Sequence, residues 1–205
     1  MIGPHDPDGP DIATAPVAPR ATPWNVPNAL TVLRILMVPV FGWLLLAHGG
    51  EDTAWRWWAT AVFVVAIATD WVDGFLARRD GLITDFGKLM DPIADKALMG
   101  TALIGLSVLG LLPWWVTVVI LVRELGITLM RFVVIRRGVI TASRGGKLKT
   151  VLQALGLTLM VAPLGGLPGT LGLWIMYAAV VVTVATGVDY VLQAVRGGAD
   201  RTSRR

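Results

Sequence analysis

The chain has 205 residues, of which 55% are hydrophobic and only 16% are charged. A soluble domain of this size needs more charged residues to cover its surface, so the composition excludes an ordinary water-soluble globule and favours a membrane protein. The sequence contains no cysteine, which excludes disulfides, thiolate metal sites and cysteine nucleophiles. The net charge is +4, and the basic residues fall in separate clusters along the chain.

Long uncharged stretches alternate with these charged clusters, and one crossing of a bilayer core about 30 Å thick needs about 20 apolar residues. An all-α membrane protein with six transmembrane helices is predicted in this way. The first helix covers residues 28–50, and the second starts among the tryptophans at 55–58. The uncharged run that begins at Ala97 is interrupted at Pro113, which gives spans three and four. The run 151–188 is too long for one crossing and contains a cluster of prolines and glycines, which gives spans five and six.

Lysine and arginine gather after the second, fourth and sixth spans, whereas the other loops contain only Arg56. Because these residues concentrate in cytoplasmic loops, both termini are predicted to be cytoplasmic, in a multi-pass protein of the plasma membrane. Residues 1–23 lack the pattern of a secretory signal and are predicted to be a disordered cytoplasmic tail. Residues 24–195 are predicted to form one membrane domain, followed by a basic cytoplasmic tail at 196–205.

Four aspartates lie near the cytoplasmic ends of spans two and three. Asp70 and Asp73 are spaced i, i+3, and Asp91 and Asp95 are spaced i, i+4, so each pair shares one helix face. Four carboxylates at close quarters cannot all stay ionised without a cation, and oxygen ligands suit Mg²⁺ or Mn²⁺. The pattern predicts metal-dependent phosphoryl chemistry at a site that faces the cytoplasm. Helix capping or pairing with nearby basic residues would explain any single aspartate, but it does not require both spacings in one hairpin.

The acidic stretch also carries a recognisable motif. Residues 70–78 read DWVDGFLAR, and residues 87–95, after an interval of eight residues, read GKLMDPIAD. This pattern resembles the signature of the CDP-alcohol phosphotransferases, and every fixed position of that signature is met. The resemblance implies a six-helix membrane enzyme, usually a homodimer, in which an alcohol displaces CMP from a CDP-linked lipid.

The resemblance also implies roles for individual residues. Asp70, Asp73, Asp91 and Asp95 would bind the metal ions, and Asp95 would also be the general base that takes the proton of the acceptor hydroxyl. Contacts to CDP-diacylglycerol are expected from the segment at the start of the first span and from the motif itself, at Asn28, Thr31, Arg34, Gly74, Ala77, Arg78, Thr84 and Gly87.

Other segments point to the acceptor. Residues 91–96, the Arg123-Glu124 pair and residues 146–150 with Gln153 are similar to the phosphatidylglycerophosphate synthases within this family. The resemblance implies CDP-diacylglycerol and sn-glycerol 3-phosphate as substrates, the lipid bilayer as surroundings and no nucleic-acid partner. A phosphorylated acceptor needs cations, and the candidates lie in span four and after it, at Arg123, Arg131, Lys147 and Lys149.

The residues leave three questions open. Arg123 is predicted to lie deep in the bilayer and to face the bundle interior, where it either binds substrate or pairs with Glu124. The acceptor could also be phosphatidylglycerol, as in a cardiolipin synthase, or inositol phosphate. A small cation-coupled transporter is a further alternative, but it predicts acids near the midplane and repeated halves. Here the four aspartates lie toward one side, and the two halves of the chain show no repeat.

Overall fold

The computed structural model of the protein describes the backbone of residues 26–80, 85–134 and 144–202, and the side chains of residues 28–72, 90–129 and 148–189. Within these ranges the chain forms six α-helices and no strand, which confirms the predicted all-α fold. A short 3₁₀ helix, Ala47–Gly50, follows the first α-helix. The α-helices are α1 (Val26–Leu46), α2 (Thr53–Asp80), α3 (Asp85–Val108), α4 (Trp114–Val134), α5 (Arg144–Val161) and α6 (Gly166–Thr202).

Two stretches in the described part of the chain are long and apolar enough to cross a membrane, judged by length and composition. They are Asn28–Gly50 and Gly166–Asp189, with mean hydropathies of 2.1 and 2.0. Large apolar side chains, such as those of Trp58, Val122 and Leu171, are also exposed on every one of the six helices. A soluble monomer rarely exposes so much apolar surface, whereas a lipid-facing surface does.

The breaks between helices lie where the sequence predicts them. α4 begins directly after Pro113, because proline suits the start of a helix but not its interior. Gly110, which follows the end of α3, has a φ of 71°, a left-handed conformation that glycine adopts without steric cost. Across this hairpin the hydroxyl groups of Ser107 and Thr117 share a buried hydrogen bond of 2.7 Å. α5 and α6 are separated at Pro163, so both long apolar runs contain two helices, as predicted.

The first helix is central to the packing, because α1 lies against both α2 and α3. Phe41 of α1 stacks on Phe63 of α2 with ring centroids 5.1 Å apart, and both side chains are fully buried. Arg34 lies about two turns and Thr31 about three turns before Phe41 on the same helix. The packed core therefore holds the polar start of α1 between the two helices that carry the aspartates.

Arg56 ties α2 to the end of α5. Its Nη2 donates a hydrogen bond of 2.5 Å to the carbonyl oxygen of Met160, and its Nε donates one of 3.1 Å to that of Val161. The last carbonyl groups of a helix have no partner within the helix and attract cations. The sequence predicted Arg56 to lie in a loop, but it lies in the first turn of α2, where its side chain caps the end of α5.

α5 and α6 lie close together at two glycines, Gly156 and Gly172. A Cβ atom added to Gly156 would lie 2.9 Å from Sδ of Met176 and 3.2 Å from the carbonyl oxygen of Gly172. The second of these neighbours is backbone, so the helices would have to separate.

We expect Gly156→Ala to destabilise the folded protein by about 1–3 kcal/mol, the usual cost of overpacking a tight contact. The measurement is the apparent melting temperature of the purified protein in detergent. Gly126→Ala is the matched control, because Gly126 lies inside α4 and the added Cβ would have no tertiary neighbour within 4 Å among the described residues. The control should melt at the same temperature or higher, since alanine favours a helix. Equal melting of Gly156→Ala and the wild type would contradict the close approach.

Candidate active site

Two side chains of α1 hold one aspartate on each neighbouring helix. Thr31 Oγ1 donates a hydrogen bond of 2.6 Å to Oδ1 of Asp91 on α3. Arg34 Nη1 donates one of 2.5 Å to Oδ1 of Asp70 on α2, and the arginine is completely buried. Thr31 and Arg34 are spaced i, i+3, so they share one face of α1. This face therefore orients one carboxylate from each acidic pair.

Asp70 and Asp95 meet at one cavity, which we call the donor groove. It has a volume of about 360 Å³, and its lining among the described residues includes three charged side chains, those of Arg34, Asp70 and Asp95. The remaining wall is mostly apolar and comes from α2, α3 and α5, with Val64, Ile67, Trp71, Leu98, Met99, Val151, Ala154 and Leu155 among its members. The groove thus joins a charged end to a long apolar surface.

The carboxylates suit a hard divalent cation, because the candidate ligand atoms are all oxygen. Asp70 of α2 and Asp95 of α3 bring two of these carboxylates to the donor groove. Among the described side chains, no three His, Cys, Asp or Glu residues are grouped closely enough to hold a metal ion. Asp73 belongs to α2, but its side chain lies outside the described residues. Metal binding by the set Asp70, Asp73, Asp91 and Asp95 therefore stays a prediction.

A second charged cluster surrounds Glu124 on α4, and three cations share its carboxylate. Arg123 Nη1 donates a hydrogen bond of 2.9 Å to Glu124 Oε1, and Nζ of Lys149 on α5 donates to the same oxygen. Nζ of Lys96 on α3 lies 3.7 Å from Oε2. The cluster joins three helices and carries a net positive charge, since one carboxylate faces three cations.

Arg123 also links this cluster to α6. Besides its bond to Glu124, its Nη2 donates a hydrogen bond of 2.9 Å to Oγ1 of Thr186 on α6. The prediction that Arg123 faces the bundle interior is confirmed, since its side chain is 17% exposed. Of the two roles left open by the sequence, pairing with Glu124 is the one that the described contacts support.

A smaller cavity of about 60 Å³, which we call the cationic cavity, separates Asp95 from the Glu124 cluster. Its lining includes Asp95, Lys96, Glu124 and Lys149. Asp95 also lines the donor groove, so this carboxylate lies between an apolar groove with an anionic end and a cavity with cationic walls. A group with this position can contact two different ligands at once.

The structure accounts for some of the predicted binding residues and not for others. Asn28 is buried on α1, one turn before Thr31. Lys149 is buried beside Glu124. Thr84 lies outside the described backbone. Six further predicted binding residues lie outside the ranges whose side chains are described, and they are Gly74, Ala77, Arg78, Gly87, Arg131 and Lys147.

Sequence reasoning missed two features of the site. The hydrogen bonds of Thr31 to Asp91 and of Arg34 to Asp70 were not predicted, and the contacts of both residues to CDP-diacylglycerol stay a prediction. Neither Gln153 nor Lys96 was predicted to bind a ligand, although both line the cationic cavity. A signal was present for Gln153, because it is a polar residue inside an apolar run and lies one helical turn after Lys149.

Comparison with known proteins identifies the family. The sequence model of the CDP-alcohol phosphatidyltransferases matches residues 24–185, which is most of the chain. The chain belongs to this family. The protein is therefore an enzyme of the CDP-alcohol phosphatidyltransferase class, a membrane-associated family that generally depends on divalent metal ions.

Several named relatives of this CDP-alcohol phosphatidyltransferase align over nearly their whole length. A "Probable phosphatidylglycerophosphate synthase" of Mycobacterium tuberculosis (strain H37Rv) is 54% identical over 93% of this chain and 92% of its own. A "CDP-diacylglycerol--glycerol-3-phosphate 3-phosphatidyltransferase" of Bacillus subtilis (strain 168) is 37% identical over 82% of this chain and 93% of its own. A protein of the same name from Rickettsia felis is 34% identical over 81% and 93%, respectively.

Proposed function

We propose that the protein transfers the phosphatidyl group of CDP-diacylglycerol to sn-glycerol 3-phosphate, which yields phosphatidylglycerophosphate and CMP. The names of the similar proteins support this reaction. The structural observation that carries it is the position of Asp95 between the donor groove and the cationic cavity. A reaction between a lipid-linked nucleotide and a small phosphorylated alcohol needs two such compartments with the reacting atoms between them.

The donor groove has the properties that CDP-diacylglycerol requires. Its apolar wall, formed by α2, α3 and α5, suits the acyl chains. The pyrophosphate would lie at the charged end, where Arg34 supplies a buried guanidinium beside Asp70. Asn28, Thr31, Gly74, Ala77, Arg78, Thr84 and Gly87 are proposed to complete the binding of the CDP group.

The cationic cavity has the properties that a phosphorylated acceptor requires. Lys149 and Lys96 enter it from different helices, and Glu124 fixes both relative to Asp95. The phosphate of glycerol 3-phosphate carries enough charge to compete with Glu124 for these cations. Arg123, Arg131 and Lys147 are the other proposed members of the acceptor phosphate site.

Asp95 is the proposed general base. It accepts the proton of the primary hydroxyl of glycerol 3-phosphate as that oxygen attacks the phosphorus atom bonded to diacylglycerol. The new P–O bond forms as the pyrophosphate bond to CMP breaks, and CMP leaves with the bridging oxygen. Asp70, Asp73, Asp91 and Asp95 would hold the divalent metal, Mg²⁺ or Mn²⁺, whose chemistry is to neutralise charge that develops on the leaving group.

The same proposal includes the arrangement in the cell. All six helices are proposed to cross the plasma membrane, with both termini and the active site on the cytoplasmic side, because the basic clusters lie on that side of the predicted topology. Residues 24–195 would form the membrane domain between tails at 1–23 and 196–205. A homodimer is proposed from the family resemblance.

The test is CMP release by the purified protein with CDP-diacylglycerol and Mg²⁺ or Mn²⁺. We expect release when sn-glycerol 3-phosphate is added, and we expect a chelator to abolish it. Phosphatidylglycerol and inositol phosphate, supplied separately, should give little or no release. Equal or faster release with either alternative would overturn the assigned acceptor, and full release in the chelator would overturn the metal requirement.

A further inference from the structure

One buried polar group in the cationic cavity has no partner among the described residues. Gln153 on α5 is only 4% exposed, and its side-chain Nε2 has no hydrogen-bond acceptor in the described part of the chain. A side-chain amide nitrogen carries two donor hydrogens. Burying a donor without an acceptor is unfavourable, and native proteins rarely leave one in this state without a reason.

Gln153 lines the same cavity as the charged residues of the site and lies on the same helix face as Lys149. It lies four residues after Lys149 on α5, so both side chains share one helix face and differ by about 6 Å along the axis. The cavity that Gln153 lines also contains Asp95, Lys96 and Glu124. An uncharged donor is thus placed beside the proposed base and the proposed phosphate-binding cations.

This inference rests on the proposed function and deepens it. Glycerol 3-phosphate has three polar parts, and two already have partners of the right kind. The phosphate matches the cations, and the primary hydroxyl matches the carboxylate of Asp95. The secondary hydroxyl needs a neutral partner, and Gln153 is the neutral donor that the cavity leaves without an acceptor among the described residues.

We propose that Gln153 is a specificity-determining residue that donates a hydrogen bond from Nε2 to the secondary hydroxyl oxygen of the acceptor. The ligand then supplies the acceptor atom that the described part of the protein lacks. A site with a buried donor rejects an analogue that leaves this donor unpaired, since desolvation of the donor is then uncompensated.

The test compares two acceptors in one preparation: sn-glycerol 3-phosphate and 3-hydroxypropyl phosphate, which lacks only the secondary hydroxyl. The wild type should prefer glycerol 3-phosphate by about tenfold or more in kcat/KM. Gln153→Met preserves the length of the side chain and removes the amide, so the ratio should fall close to one. Because both values come from the same sample, the ratio does not depend on the fraction of folded enzyme.

Thr183→Val is the matched control. Oγ1 of Thr183 on α6 is likewise buried without a hydrogen-bond partner in the described part of the chain, but Thr183 does not line the cationic cavity. This variant should keep the wild-type ratio even if its total activity falls. A purely structural role of Gln153 would lower kcat/KM for both acceptors equally and preserve the ratio, which would overturn the proposal.

A second variant covers the case in which Gln153→Met does not fold. Gln153→Asn withdraws the amide by one methylene and should also reduce the ratio. Loss of all turnover in both variants would count against the proposal, because a residue that only discriminates between acceptors is not essential. If the wild type itself releases no CMP with glycerol 3-phosphate, the proposed function fails before this inference is reached.

Discussion

Asp95→Asn is expected to lower turnover by about a thousandfold, within the range usual for removing a general base. Asparagine has nearly the same shape as aspartate but does not accept a proton at neutral pH. The amide still fills the position between the two cavities that Asp95 lines. Binding of CDP-diacylglycerol should therefore persist, and it can be measured as the increase in melting temperature that the lipid produces.

Glu51→Gln is the matched control for this experiment. Glu51 is an exposed carboxylate in the connection between α1 and α2, so its conversion to an amide should leave CMP release unchanged. Full activity of Asp95→Asn would assign the base to another residue. Loss of both turnover and lipid binding would instead indicate that the main role of Asp95 is to hold the donor substrate.

The helices were predictable from local sequence because their boundaries have local causes. Proline together with nearby glycines marks the breaks at Pro113 and Pro163. A lone proline does not end a helix here, since Pro39 and Pro92 lie inside α1 and α3. The side-chain spacing also predicted that each pair of aspartates shares a helix face. Packing between helices has no such local signal, and nothing in the sequence around Thr31 indicates that α1 lies between α2 and α3.

The sequence predicted the aspartates of the site but not the cluster around Glu124. The motif identified the aspartates, because their spacing is fixed within one helical hairpin. The Glu124 cluster depends on Lys96 and Lys149, which come from two other helices. A helix-face argument can relate Glu124 only to residues three or four positions away, such as Thr128. Pairing with distant cations requires the three-dimensional arrangement.

Glu124→Gln is the second variant for which we expect a large effect. The substitution removes the carboxylate that Lys149, Arg123 and Lys96 share, and it leaves the buried Lys149 beside a neutral amide. Removing one partner of a buried ion pair costs about 3–5 kcal/mol, because the remaining charge has lost its compensation. The apparent melting temperature should fall clearly, and the KM for glycerol 3-phosphate should rise while the KM for CDP-diacylglycerol stays the same.

When Lys149, the partner of Glu124, is also replaced, we expect stability to recover but activity to stay low. In Glu124→Gln combined with Lys149→Met, the buried charge is gone, so the double variant should melt at a higher temperature than Glu124→Gln alone. Its activity should not recover, because the cation proposed to bind the acceptor phosphate is missing. Such a result would show that Glu124 neutralises Lys149 in the fold and positions it for the acceptor.

Lys96→Met provides the comparison within the same cluster. Lys96 is more exposed than Lys149 and lies 3.7 Å from the carboxylate, so its removal should change stability by less than about 1 kcal/mol.

Two results would contradict the assigned role of Glu124. If Glu124→Gln combined with Lys149→Met melts no higher than Glu124→Gln alone, Glu124 is not the partner that compensates the charge of Lys149. A melting temperature of Glu124→Gln equal to that of the wild type would mean that the three cations are compensated by solvent rather than by Glu124.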